Sequence, residues 1–470
     1  MAHERRYAVA GGGMAGMYYA AELKRLDPAA EVHLIESSPA LGGTYGSIRY
    51  ENDRIFDYGM HLFYEACDER VDRVLREVLA EDEWFFWEGN RKDVGGLFWR
   101  GRLQTGSHYV DLRDGACKPE FVADLFDSLG QAPAWEQAED CAGYFTSKFG
   151  KALTEQVLRP VQRKLWHADP EELDPLAIKM VSADRVVLYD HDLMLDLMKS
   201  EALRCRLAVP DQMRLPSSAR STRQRALYPR RYGFCHYVDR FAERLKNAGV
   251  IVHLGTQVKD LAPSDGAKLK LRAQGRNGDA ADLDVHHAFW AAPLIQLAQV
   301  LKVPFDDLPM DIPHHIGYVH WVLDRPPKMG DLYYFYCYDQ PFRTFRVTNF
   351  AAFCPGSEQD GYAICAEIHY PGNDRLPEKR EVIAAATAEL SSMGIIDASH
   401  RVGFVDAHLS RFGFPRPTRR NTRAFGAIRT RIAERIPRGL SLGGVAPDLG
   451  RFFLHDVLVA AADQLASPRP

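Results

Sequence analysis

The 470-residue chain contains no apolar run of about 18 residues, so its sequence offers no membrane-spanning helix. Its 8 cysteines (Cys67, Cys117, Cys141, Cys205, Cys235, Cys337, Cys354 and Cys365) include no CxxC pair. That excludes a zinc-ribbon spacing and a small disulfide framework, and it fits free thiols in a reducing cytoplasm. HExxH, GxSxG and the Walker A pattern are all missing. The adjacent pairs His286-His287 and His314-His315 would point to opposite faces of a strand, so no metal site is expected. Charge of one sign is lacking too. Lys and Arg number 59 against 63 Asp and Glu, a net charge of -4, and the aromatics do not interleave with the arginines. A nucleic-acid-binding surface is therefore not expected. The N-terminus runs from Met1 to Arg6 straight into a strand-like segment without the apolar stretch of a secretory signal, so a cytoplasmic location is expected. Internal repeats and low-complexity segments are not evident.

What remains is ordinary globular composition, 46% hydrophobic and 26% charged, in a chain long enough for two or three domains or one domain with a large insertion. The first forty residues are the most informative. Tyr7–Ala10 is a short apolar strand, Gly11-Gly12-Gly13-Met14-Ala15-Gly16 a glycine turn, Met17–Leu26 a helix by its apolar spacing, and Val32–Glu36 a second strand. Gly11, Gly13 and Gly16 match GxGxxG, and Glu36 follows twenty residues after Gly16. In such a unit the first glycine makes the turn, the second lets backbone approach a pyrophosphate, and the third permits close helix–strand packing. The helix N-terminus aims free N–H groups at phosphate, and an acid at the end of the second strand suits ribose hydroxyls but repels a 2′-phosphate.

The run that follows, Ser37-Ser38-Pro39-Ala40-Leu41-Gly42-Gly43-Thr44, holds a second glycine pair. It resembles the flavoprotein family that contains amine oxidases, protoporphyrinogen oxidase, phytoene desaturases and UDP-galactopyranose mutase. There the pair lies along the FAD pyrophosphate; the family's usual next residue, arginine, is Thr44 here. Phe56-Asp57-Tyr58-Gly59-Met60-His61 resembles the family's loop beside the flavin. Tyr228–Gly233, with the helix and strand that follow, resembles its middle FAD segment, where Val258 would meet the adenine through its backbone. Leu442-Gly443-Gly444 and the helix near Asp456 resemble the segment that touches the isoalloxazine ring. Ala292, closing the strand that ends at Trp290, completes the cofactor set.

The resemblance implies an α/β fold: a Rossmann-like FAD-binding domain of the GR2 type with an inserted α+β substrate domain. Residues 1–75, 226–300 and 425–470 are expected to form the discontinuous FAD domain. Residues 76–225 and 301–424 are expected to form the substrate domain, with strands at Tyr318–Val322, Leu332–Tyr338 and Arg346–Phe353 and a helix over Glu378–Met393. Lys164-Leu165-Trp166-His167-Ala168-Asp169-Pro170 resembles a K-x-W-G-x-x-P segment of UDP-galactopyranose mutases and related sugar-pathway flavoproteins, with His167 in place of the glycine. Phe342–Phe350 resembles their RxxNF strand, with Arg346 and Asn349. Trp166, Arg346 and Asn349, together with His61 as proton acceptor or substrate-orienting group, are the candidate catalytic residues. Two arginine clusters, Arg214 to Arg231 and Arg411 to Arg423, suit either phosphate oxygens or a solvated loop.

The resemblance implies FAD as cofactor and a small-molecule substrate, anionic or nucleotide-linked in one reading, and it is compatible with a homo-oligomer. Three functions stay open: an FAD-dependent oxidoreductase delivering hydride to flavin N5, a non-redox nucleotide-sugar mutase, and an inactive FAD-binding assembly protein.

Overall fold

The computed structural model describes residues 5–113, 118–129, 134–181, 183–220, 223–265 and 268–466. Met1–Glu4 and Cys117 lie outside the described residues. The chain forms two compact units: residues 1–86, 226–310 and 422–470 (unit 1), and residues 87–225 and 311–421 (unit 2).

Unit 1 is built on a parallel sheet. β1 (Arg6–Ala10) leads through a glycine turn into α1 (Met14–Leu26) and back to β2 (Glu31–Ile35). Later in the chain come α2 (Phe234–Asn247), β3 (Val250–His253), β4 (His287–Trp290), β5 (Leu440–Leu442) and α3 (Leu454–Ala466). The strands lie side by side in the order β3-β2-β1-β4-β5, all parallel. Both faces must then be covered, which is why β1 and β2 read as almost unbroken apolar runs. On one face Tyr19 of α1 stacks on Phe289 of β4 with ring centroids 3.8 Å apart. On the other, Ala10, Ile35, Trp290, Ile428 and Ile432 share a core with the antiparallel strands Thr256–Ser264, Lys268–Gly275 and Ala280–Val285. The strand that ends at Trp290 begins at His287, separated from Ala280–Val285 by His286, whose Nδ1 accepts the Arg6 N–H at 3.0 Å.

Unit 2 combines helices with a seven-stranded sheet. Its order is Val402–Phe414, His314–Leu323, Tyr362–Tyr370, Thr344–Asn349, Tyr334–Cys337, Gly95–Trp99, Arg102–Gln104. Every neighbouring pair is antiparallel except Tyr334–Cys337 with Gly95–Trp99. Helix Lys379–Ser392 covers one face through Val382, Ala386 and Leu390. The strand expected over Arg346–Phe353 stops at Asn349 and becomes the short helix Phe350–Phe353. Only Arg416 of the second arginine cluster lies in a loop: Arg411 is on the strand Val402–Phe414, and Arg419, Arg420 and Arg423 are on the helix Arg419–Arg435. Among the described residues no helix is long and apolar enough to cross a membrane, and no group of three or more His, Cys, Asp and Glu could hold a metal ion.

Candidate functional site

The loops that leave β1, β2, β4 and β5 all emerge at the carboxyl edge of the parallel sheet, where open α/β sheets bind ligands. Gly11 has φ +105°, and a Cβ on it would meet Ala292 N at 2.9 Å, so the turn after β1 and the turn after β4 are in contact. Gly444, with φ +77°, lies against Ala291 in the same way: a Cβ there would meet the Ala291 carbonyl oxygen at 2.8 Å. A Cβ on Gly16 would sit 1.8 Å from the Gly11 carbonyl oxygen, so this glycine is demanded by packing of α1 on the turn. Gly13 is different. It caps α1 with φ -71° and ψ 178°, makes no side-chain cap hydrogen bond, and a Cβ on it would meet nothing within 4 Å.

That open space is walled by the second glycine run. The Gly42 N–H donates to the Gly12 carbonyl at 2.8 Å, Gly42 bridges Gly13, and a Cβ on Gly43 would meet Gly13 Cα at 3.4 Å. Met14 and Ala15 are buried in the first turn of α1, while Thr44 is exposed. The first-turn N–H groups of α1 lack intrahelical partners, so the cradle is lined by donors at the positive end of a helix. Glu36 is fixed beside it. Its Oε2 accepts the Gly12 N–H at 2.6 Å, and its Oε1 accepts the Ser38 N–H at 2.7 Å and the Ser37 hydroxyl at 3.2 Å. Its own backbone joins β3, with the Glu36 N–H donating to the His253 carbonyl and the Thr256 N–H donating to the Glu36 carbonyl. Val258 follows at the start of the next strand, buried, with a bulge between it and Asp260.

The Phe56–His61 loop is held from within. Asp57 is 2% exposed, and its carboxylate accepts the Ser47 hydroxyl at 2.6 Å, the Tyr228 hydroxyl at 2.6 Å and the Phe234 N–H at 3.0 Å. Burial pushes its pKa up, partly offset by these donors. Asp57 thus ties the loop to the start of α2. Tyr228 further accepts the Gly233 N–H at 3.1 Å. Ser47 carried no signal in the sequence, whereas Tyr228 sat in a segment already singled out. Gly59 has φ +73°, Met60 is buried, and the half-buried His61 meets the Tyr45 ring edge-on at 5.1 Å. Asp456 caps α3, accepting the Phe453 N–H at 3.3 Å.

In unit 2, Trp166 ends the helix Arg159–Trp166, 2% exposed, and stacks near His314 at 6.4 Å. His167 then adopts φ +49°, the left-handed conformation that glycine takes most easily, at the position where the similar motif carries glycine. His167, His314 and His369 adjoin one another, with centroids 5.1 Å and 5.7 Å apart. Burial holds them neutral: His369 is pushed down to about 3, His314 to about 2, and His167 is also lowered. Arg346 and Asn349 do not come together. Three residues apart on one strand, they lie on opposite faces: Arg346 pairs in register with Glu367, Asn349 with the aliphatic-core residue Ile364. Arg346 makes a bidentate pair with Glu367, at 2.6 Å and 2.8 Å. Glu367 was missed because the partner of a strand residue depends on register.

Four of the clustered arginines have local partners. Arg416 donates to the Trp166 and His167 carbonyls, Arg419 pairs with Glu139 and Asp140, Arg420 with Asp311, and Arg220 bonds Asn90.

A glycine cradle at the carboxyl edge of a parallel sheet, with an acid fixed at the end of the second strand, defines a Rossmann-type dinucleotide-binding protein. Comparison with known proteins agrees: residues 9–78 match the NAD(P)-binding Rossmann-like domain family. The chain is 37% identical over 150 residues to zeta-carotene desaturase of Solanum lycopersicum, covering 32% of this chain and 24% of that protein. The maize (Zea mays) desaturase is 36% identical over 77 residues, 16% of this chain and 13% of that protein, so the chain spans less than a quarter of the length of either. Among solved structures, a proposed protoporphyrinogen oxidase from Exiguobacterium sp. 255-15 superposes with a TM-score of 0.69 at 16% identity, covering 99% of this chain and 98% of that one. Reduced UDP-galactopyranose mutase superposes with a TM-score of 0.71 at 14% identity, covering 97% and 92%. The likeness to these two structures, well below 25% identity, is one of fold, and it agrees with the Rossmann-type α/β architecture expected from the motifs.

Proposed function

We propose that unit 1 binds FAD at the carboxyl edge of its sheet and that the protein is an FAD-dependent oxidoreductase acting on a small molecule bound by unit 2. The observation that carries this reading is the cradle at Gly13: backbone open to a ligand, flanked by Gly43, at an uncapped helix N-terminus. These residues fit a pyrophosphate. Gly11, Gly13, Met14, Ala15 and Gly16 would hold one side of it and Gly42, Gly43 and Thr44 the other. Glu36, with Ser37, would receive the adenosine ribose, where its charge opposes a 2′-phosphate. Val258 would meet the adenine, and Gly59, Met60, His61, Ala292, Gly444 and Asp456 would border the ring, with Asp57 fixing their loop.

Bound FAD supplies hydride acceptance, and the protein supplies position, electrostatics and shielding. His61 would hold or accept a substrate proton, and Trp166 and Arg346 would orient substrate in unit 2. A second reading, a non-redox mutase like UDP-galactopyranose mutase, is favoured by His167, whose left-handed backbone preserves the turn of the K-x-W-G-x-x-P segment.

The test is the visible spectrum of purified protein, then anaerobic dithionite titration and readmission of air. Bound FAD with rapid reoxidation supports an oxidase. A stable reduced form directs the work to dehydrogenase acceptors and UDP-sugars. Bound flavin that neither turns over nor reduces leaves an assembly role, and protein that cannot be loaded with FAD sinks the proposal.

A further inference from the structure

The sheet of unit 2 has two chemically different faces. On one, Val347, Ala366 and Ile368 pack against Val382 and Leu390 of helix Lys379–Ser392. Alternation puts the intervening residues on the other: Tyr336 lies opposite Arg346, Arg346 opposite Glu367, and Tyr334 opposite Thr348. This face is aromatic and hydroxyl-rich. Tyr338 stacks on Tyr336 at 6.4 Å, and the Arg346 guanidinium lies 5.9 Å from the Tyr336 ring.

Its charges cancel. Arg346 Nε and Nη2 donate to the two carboxylate oxygens of Glu367, at 2.6 Å and 2.8 Å. Burial raises the pKa of the Tyr336 and Tyr338 phenols and keeps them protonated, while His369, stacked on Phe345 at 4.2 Å, is kept neutral. Three buried polar atoms on this face have no hydrogen-bond partner among the described residues: the Thr348 hydroxyl, on a residue 0% exposed, the Tyr338 hydroxyl, on a residue 2% exposed, and His369 Nδ1. A sealed hydroxyl without a partner is a standing cost that a ligand oxygen or nitrogen removes.

We infer that this face binds an uncharged part of the substrate bearing hydroxyl or carbonyl groups, and that Glu367 sets the specificity by cancelling Arg346 against anions. The inference rests on the reading that unit 2 holds the substrate. A phosphate or carboxylate would have to displace Glu367 from a two-point pair and face its charge, and a cation would face Arg346. A neutral ring can lie on the tyrosines and bond the open hydroxyls.

The test uses full-length, FAD-loaded protein titrated with inorganic pyrophosphate and with UDP, so that the glycine cradle is already filled. Wild type should bind neither at millimolar concentration. Glu367→Gln should bind both at least about tenfold more tightly than wild type, because its guanidinium is uncompensated. The double variant Arg346→Gln/Glu367→Gln should be as indifferent as wild type, and it carries the comparison if Glu367→Gln does not fold. Tyr338→Phe should leave the melting temperature of substrate-free protein unchanged or higher, since it removes an unsatisfied hydroxyl. UDP binding to wild type that weakens tenfold or more in Arg346→Gln overturns the inference. So does a Tyr338→Phe variant that melts lower. Flavin absorbance on the same samples separates the two readings: if the protein cannot be loaded, the cofactor proposal fails, while the difference between variants still reports on Arg346.

Discussion

Gly13 and Gly16 sit in one motif, yet the structure gives them opposite sensitivities. At Gly13 the backbone suits any L-residue and a Cβ meets nothing within 4 Å. In FAD-free protein, Gly13→Ala reduces the entropy of the unfolded chain, a gain of about 0.4–1 kcal/mol, against a comparable loss from alanine's poorer N-cap preference. The melting temperature should stay within about 3 °C of wild type. With FAD bound as proposed, the added methyl would nevertheless occupy the approach of the pyrophosphate. Losing two charge-assisted hydrogen bonds, at roughly 1.5–3 kcal/mol each, weakens FAD binding by about 10²-fold or more. At Gly16, by contrast, the Cβ would lie 1.8 Å from the Gly11 carbonyl oxygen, a backbone atom that cannot rotate away. Gly16→Ala should cost about 3 kcal/mol and lower the melting temperature of the FAD-free protein by roughly 5–10 °C. Differential scanning fluorimetry on stripped protein reads stability, and FAD titration read by flavin fluorescence reads affinity. Gly13→Ala with wild-type FAD affinity, or Gly16→Ala with wild-type melting, would refute the assignment of the first to the ligand and the second to packing.

Other substitutions probe the framework. Asp57→Asn turns an amide N–H₂ toward donors from Ser47, Tyr228 and Phe234, so it should destabilise by about 1–3 kcal/mol and lower flavin content; wild-type melting would contradict it. His167→Gly relieves a left-handed backbone but loses the contact with His314, so stability should change by less than about 1 kcal/mol, whereas His167→Val should melt clearly lower. His314 and His369 have folded pKa values depressed to about 2 and about 3, so the unfolded chain binds more protons below its own histidine pKa. Their stabilising neutrality is intact above about pH 6.5 and is lost progressively as pH falls toward 3. His369→Gln should reduce the slope of stability against pH in that window by up to about one proton, roughly 1.4 kcal/mol per pH unit, and an unchanged slope would dismiss the assignment.

The dinucleotide turn was legible because its chemistry is contiguous. Gly11, Gly13 and Gly16 succeed one another across a strand, a turn and a helix, and Glu36 ends the next strand, so spacing alone carries the geometry. The apolar runs that became β1 and β2 are dictated locally as well, since a parallel strand is buried on both faces. Less of unit 2 could be read. The long strand Val402–Phe414 and the helix Arg419–Arg435 were hidden by arginines that suggested a solvated loop, and only the fold supplied the carboxylates and carbonyls those arginines meet. Arg346 and Asn349 were drawn together by one motif, and the pleat sends them to opposite faces. Arg346 meets Glu367, 21 residues away, only because two antiparallel strands align in one register, where a one-residue slip would reverse every side chain. Local spacing determined the dinucleotide cradle of this protein; tertiary register decided which charges cancel on the face beside Tyr336.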